Sequence, residues 1–309
     1  MALESQIVQL IFAGVTVGSI YALIALGFVV IHNVTGIVNF AQGDFAMLGA
    51  LIAVTLTEKT PIFNRVFIAE FKLPLPVGIA LSTLIVAAIG GLFYVLAIRP
   101  ARGASVISLI IITIGAHFAL QGAALIAWAA DPYSLPTFTR GDPLEIMGAI
   151  LTRQNMWVIG VTIVLLVLLY LFFERTMLGK ALRACAINRT AARLMGIDIN
   201  RMALLSFVLS AAIGAIAGIV ITPSNPMAYG DGTFLSLKGF VAAILGGLNS
   251  ATGAVVGGIV LGVLETFGAR FLSSGYKDAI AFVVLFVILF VRMSGWIKHG
   301  QSQVEEVGL

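Results

Sequence analysis

Residues Asn33–Leu56 read NVTGIVNFAQGDFAMLGALIAVTL. The stretch has the length and apolarity of a membrane crossing, yet its first half carries Asn33, Asn39, Gln42 and Asp44 among Gly36 and Gly43. Polar side chains are costly in hydrocarbon, so they face protein or a water-filled path. Glycines this close together favour a helix that bends, breaks or packs tightly at bilayer depth. The stretch is therefore read as a crossing that lines a transport pathway. Asn39, Gln42 and Asp44 are its candidate lining residues, and Gly36 and Gly43 shape it. On one helix Asn39 and Gln42 share a face, while Asp44 is rotated away from Asn39. The plainer alternative is that the amides join neighbouring helices and Asp44 meets water at an interface.

The rest of the chain is of the same kind. Of its 309 residues, 60% are hydrophobic and 10% charged, and the mean hydropathy is +1.08. Uncharged runs at Ser5–Gly43, Leu73–Ile98, Gly103–Ala130, Gln154–Phe173, Met202–Gly230 and Gly239–Leu264 each reach the roughly 20 residues that a bilayer crossing needs. The composition excludes a soluble protein. It predicts an all-α integral membrane protein, one domain over residues 1–309, built as a polytopic bundle of about 8–9 transmembrane helices. The net charge of +4 and pI near 9.4 come from loops, which the positive-inside rule explains better than nucleic acid does. Cys185 is the sole cysteine, so no intrachain disulfide or thiolate cluster is expected. No basic residue precedes the first apolar run, and no cleavable signal peptide is predicted.

Spans are expected at about 7–31, 33–56, 75–98, 105–129, 155–173, 202–222, 251–271 and 277–291, while 237–249 is apolar but only about half a crossing. Gly14-x3-Gly18, Gly253-x3-Gly257 and Gly258-x3-Gly262 offer small faces for close helix packing, and Gly246-Gly247 closes the short segment. Both ends of the chain pair a Gly-interrupted short segment with a small-residue helix. In transporter folds that pattern points to a binding site near the midplane.

Arg175, Lys180, Arg183, Arg189, Arg193 and Arg201 gather between two spans, which places that loop in the cytoplasm. Alternation puts Arg99 and Arg102 there too, and the N-terminus outside with loops 58–73 and 131–153. The C-terminal tail, with Arg292 and Lys298, is cytoplasmic if 237–249 crosses. The discordant feature is 58–73, which carries three basic residues on the outer side. This topology sets the polar half of 33–56 near the cytoplasmic end and Asp44 in the inner part of the path, near a gate. Within 175–201, Ala181–Met195 has high helix propensity and Gly196 suits its stop. Its basic face can meet anionic lipid or dock a partner protein.

His117 and Gln121 share a face in mid-span, which suits proton relay, substrate contact or interhelical bonding. Glu265 is expected at the outer interface, His32 at the cytoplasmic mouth and His299 in the tail. The chain has no phosphate loop, H-E-x-x-H or G-x-S-x-G, so it is not expected to be an enzyme, and ATP-driven work requires another subunit.

Three segments in order resemble the permease subunits of branched-chain amino acid ABC importers, specifically the LivH branch. They are Gly18-Ser-Ile-Tyr-Ala-Leu-Ile-Ala-Leu-Gly27 with Gly36-Ile-Val-Asn-Phe-Ala-Gln-Gly43, then Gly179-Lys-Ala-Leu-Arg-Ala184 with Ala191-Ala192 and Gly196-Ile197, and last Leu237-Lys-Gly-Phe-Val-Ala-Ala-Ile-Leu-Gly-Gly247 with Gly253 and Gly257-Gly258. The family commonly has His at the position of Gln42 and Glu at that of Asp44. The resemblance implies a bacterial inner-membrane importer in which this chain pairs with a second homologous permease, two cytoplasmic ATPases and an external solute-binding protein. Arg183, Ala184, Asn188, Arg189, Ala191, Ala192, Gly196 and Ile197 would then couple it to the ATPases. ATP-Mg would sit on those partners, with no cofactor on this chain. Related permeases move urea, short amides or aromatic acids. A different class of reading is an ion- or proton-coupled transporter that uses Asp44, His117 and Glu265.

Overall fold

A computed structural model describes residues 3–63, 66–146, 148–271 and 277–293. Arg65, Lys298, His299 and the C-terminal tail lie outside these residues. The first helix, α1 (Leu3–Thr35), runs for 33 residues, about 50 Å. It is buried over most of its length, and the other elements are arranged around it. It stops because Gly36 takes φ +69, a left-handed conformation that favours glycine, while the Gly36 N–H still donates to the His32 carbonyl at 2.7 Å.

This stop divides the crossing expected at 33–56. Asn33 lies in the last turn of α1, and helix resumes only with α2 (Gln42–Thr57). Between them Asn39 accepts a hydrogen bond from its neighbour's backbone, Ala41 N to Asn39 Oδ1 at 3.2 Å, and such local bonding competes with helix. Asn39 therefore does not share a helix face with Gln42. The 16 residues of α2 reach about 24 Å, too short for a full crossing.

The chain continues with an antiparallel hairpin, β1 (Thr60–Ile62) and β2 (Phe67–Ala69), in a loop the sequence suggests is irregular. Glu70 pairs with Lys59 and, at 4.0 Å, with Lys72, so two of the three basic residues in 58–73 share one carboxylate. The bond from Lys59 holds the Glu70 carboxyl below its usual range. Next come α3 (Leu75–Phe93), which passes into a π-turn at Tyr94–Ile98, and α4 (Val106–Trp128). A second hairpin, β3 (Leu144–Ile146) with β4 (Ala149–Leu151), leads to α5 (Arg153–Arg175). Two short helices follow, α6 (Met177–Ile187) and α7 (Arg189–Leu194), then α8 (Ile199–Ile221), α9 (Asp231–Gly246), α10 (Ala251–Phe271) and α11 (Lys277–Met293). Six of these, α1, α3 with its π-turn, α4, α5, α8 and α10, are long and apolar enough to cross a membrane. The short segment expected at 237–249 begins earlier, at Asp231, and is a second 16-residue helix.

Small residues bring α1, α9 and α10 into backbone contact. A Cβ added at Gly262 would meet Gly18 and Gly14 of α1, and one at Gly258 would meet Ala22. On the other side of α10, Gly253 lies against Gly246 and Gly257 against the Ala242 carbonyl. Gly247 differs from the packing role its sequence position suggests. It has open space where a Cβ would be and φ +89, so it shapes the turn after α9. Helices α4 and α5 stand at the periphery with most of their surface open, as lipid-facing helices do.

Replacing Gly257 with Leu forces a side chain into the Ala242 backbone and should cost about 1–3 kcal/mol or more, read as a lower thermal midpoint in detergent. Gly115→Ala on α4, where a Cβ meets nothing, should leave that midpoint unchanged or slightly raised.

Candidate functional site

His117 is the central residue of the 23-residue α4, and Ser210 holds the same place in the 23-residue α8. The start of α2 lies beside both. Asp44, fully buried in the first turn of α2, sets Oδ2 2.6 Å from His117 Nδ1. In its carboxylate form Asp44 accepts there from Nδ1–H, and Nε2 turns outward, 3.4 Å from Thr233 Oγ1. Gln121 Nε2 donates to the same Thr233 hydroxyl at 2.5 Å. Asp44 Oδ1 has no hydrogen-bond partner among the described residues and rests against Gly232, where a Cβ would strike it. Gly232 lies in the first turn of α9, so the positive end of that helix dipole faces the carboxylate.

Two short helices thus bring their N-termini to mid-depth. Asp44 lies level with the centre of α4, where it meets His117. The accessible edge of the cluster runs over Gln121 and Thr233, flanked by the exposed rings of Phe118 and Phe234. Thr233 and the N-terminus of α9 escape a sequence reading because Asp231–Ser236 looks like turn-forming loop. The signal available is Asp231, an acidic residue at a helix start.

The other candidate residues play different parts. The Gln42 amide donates to the Ser210 carbonyl at 3.0 Å and shares the Ser210 hydroxyl, at 2.5 Å, with the Gly27 carbonyl at 2.8 Å. It is a clasp among α1, α2 and α8, not a lining residue. Gly43 N donates to Ser236 Oγ at 2.7 Å, and Ser236 donates to the Phe40 carbonyl at 2.7 Å. Asn39 is wholly buried, and its Nδ2 has no partner among the described residues. Glu265 is not at an interface. It is fully buried, accepts from Tyr21 Oη at 2.7 Å and pairs with Lys238 at 2.8 Å. Its charge is met inside the protein.

The basic segment is two helices where one was expected over 181–195. Asn188 interrupts it, and its side chain caps α7 by accepting from Ala191 N at 2.9 Å. α7 ends in a Schellman turn: Gly196 N donates to the Arg193 carbonyl and Ile197 N to that of Ala192, each at 3.0 Å, with Gly196 at φ +83. Arg183 is engaged by Glu174 at the end of α5. Ala192 is buried and Ala184 half-buried, both packed toward the bundle. Burial also pushes the thiol of Cys185 up, against the opposing effect of Arg189. What projects outward is Ile187, Leu194 and Met195, each more than 80% exposed, beside the exposed Arg189 and Arg193. Apolar side chains so exposed within a basic segment suit contact with a protein partner or a membrane surface. The Arg189 guanidinium also reaches back to Gly36, at the end of α1.

A bundle of apolar helices with two half-helices meeting at a buried polar cluster defines a multi-pass membrane transport protein. The chain matches the family described as branched-chain amino acid transport system permease components over residues 10–289, and it belongs to that family. It is 34% identical to the high-affinity branched-chain amino acid transport system permease protein BraD of Pseudomonas aeruginosa, over 97% of each chain. It is 32% identical to the LivH permease protein of Salmonella typhimurium, again over 97% of each. The probable LivH permease of Methanocaldococcus jannaschii is 30% identical over 90% of this chain and 88% of that one. These relatives are permeases, not enzymes.

Leaving a buried polar group without its hydrogen-bond partner costs about 1–3 kcal/mol. Asp44→Ala should therefore lower stability by that order in thermal unfolding, while Asp44→Asn, which keeps an acceptor for His117 Nδ1, should cost far less.

Proposed function

We propose that this chain is the permease subunit of an ATP-driven importer for branched-chain or related small apolar amino acids, working by alternating access. The observation that carries the reading is the meeting of the α2 and α9 N-termini at mid-depth beside Asp44, His117, Thr233 and Gln121. Half-helix N-termini favour an anionic group such as an amino acid carboxylate. Gln121 and Thr233 add neutral hydrogen-bonding groups, and Phe118 and Phe234 an apolar surface for a side chain. The accessible edge lies on the open face of α4, so a second permease would close the path. The cluster serves as a passage rather than a high-affinity pocket, and a solute-binding protein supplies most of the selectivity.

The coupling surface is α6–α7. Ile187, Leu194 and Met195, ringed by basic groups, dock a cytoplasmic ATPase, and Arg189 carries its motion to Gly36 and the non-helical link below the site. ATP-Mg binds those partners. With α2 and α9, each lengthened by the non-helical chain before it, and α11 counted, the single domain crosses the inner membrane nine times, N-terminus outside and C-terminus in the cytoplasm, and lipid covers α5. The involvement of Glu265 with Lys238 and Tyr21 speaks against an ion-coupled transporter that uses Glu265 as a coupling group.

The test is reconstitution of the whole complex in proteoliposomes. Uptake of leucine, with urea and short amides as competitors, should require ATP and the binding protein. Gradient-driven uptake by this chain alone would sink the proposal. In the complex, His117→Ala with Gln121→Ala should lower uptake about tenfold, equivalent to about 1.4 kcal/mol, at unchanged subunit assembly. Arg189→Glu with Leu194→Asp should uncouple ATP hydrolysis from uptake and weaken co-purification of the ATPase. If both persist, the docking surface lies elsewhere.

A further inference from the structure

Helix α9 is held from two sides. One carries Gly232, Thr233 and Ser236, which meet Asp44, His117 and Gly43. The other carries Lys238, five residues after Thr233 and so about 140° round the helix. Lys238 is 8% exposed, and its ammonium lies 2.8 Å from Glu265 Oε1 on α10 and 2.7 Å from Asp278 Oδ1 at the start of α11. Tyr21 of α1 completes the group: its hydroxyl donates to Glu265 Oε2 at 2.7 Å, and its ring lies 5.5 Å from the ammonium. Four helices therefore converge on one lysine side chain.

Apolar helix faces fix each other weakly in a bilayer, because lipid tails are as apolar as leucine and no hydrophobic force opposes sliding. Directional bonds in a low-dielectric interior behave differently: they rigidify what they join, and an ion that loses its partner there is left uncompensated. α9 needs such a constraint more than a full crossing does. It has 16 residues, no side-chain cap at its N-terminus, and its first turn forms part of the polar cluster.

We propose that Lys238 is a positioning residue: by binding Glu265 and Asp278 beside the Tyr21 ring, it fixes the height and rotation of α9 and holds Gly232 and Thr233 against Asp44 and His117. The proposal rests on reading that cluster as part of the translocation path. It also makes the docking of α11 a determinant of site geometry, since Asp278 joins the last helix to the lysine.

The test uses the assembled complex with Cys185 replaced by Ala. Cysteines in place of Gln121 and Thr233 then report the α4–α9 spacing through a short bifunctional thiol reagent. The variant Lys238→Met with Glu265→Gln and Asp278→Asn removes every charge and leaves none unpaired, so the bundle should keep its thermal midpoint. The cross-linking rate should fall about fivefold, and Lys238→Arg alone should keep it near the original. An unchanged rate overturns the proposal. If the triple variant does not assemble, Asp278→Asn alone removes only the α11 arm and should lower the rate about twofold; no change there overturns it equally. Cross-linking is read without transport. Altered spacing with normal uptake would reject the pathway reading and keep the positioning role, whereas unaltered spacing with uptake lost in His117→Ala would do the reverse.

Discussion

Hydrocarbon offers backbone groups no partner, so a chain can leave the helix at bilayer depth only where protein closes around it. The link at 36–41 meets that condition, and much of the bundle follows from how it is met. Ser236 supplies the cap that α2 lacks, bonding Gly43 N and the Phe40 carbonyl. Gln42 fastens the start of α2 to α1 and α8 through Ser210 and Gly27. The backbone contacts of α10 with α1 and α9 hold the surrounding wall tight. The break is less a defect in one helix than the point around which four others are fitted.

The full crossings were legible in the sequence because their signal is length and apolarity, which need no neighbours. The glycine faces of α1 and α10 were legible for a similar reason: spacing on a helix dictates which residues share a side. Partners were not. Nothing in the order of residues says that Asp44 would meet His117 and not water, or that Gln42 would clasp Ser210. Glu265 was misread because depth in a membrane was inferred from position along one helix, whereas its surroundings come from Lys238 on another. Lys238 itself is hidden by the apolar residues around it, and α9 begins six residues before the apolar run does, within what reads as loop.

The basic end of the molecule shows how a short contact can join distant events. α7 is fixed by a capping asparagine and a glycine-stopped turn, so it moves as a small rigid unit. Arg189 at its start touches the residue that ends α1 and opens the non-helical link. That contact sets α7 against a segment with no helical backbone of its own.

The peripheral α4 has a consequence for how such a protein diversifies. Its ties to the bundle run along one side: Thr113 with the Val38 carbonyl, His117 with Asp44, Gln121 with Thr233, the buried Ala124, and Trp128 Nε1 with Thr55 Oγ1 at 2.8 Å. Much of the rest of its surface meets no neighbour in the chain. Aliphatic exchange along that surface disturbs no packed core, yet it changes the wall beside Gln121 and Phe118. On the proposed reading, exchanges on this face leave the chain's own fold intact and alter only what meets a neighbour that covers it.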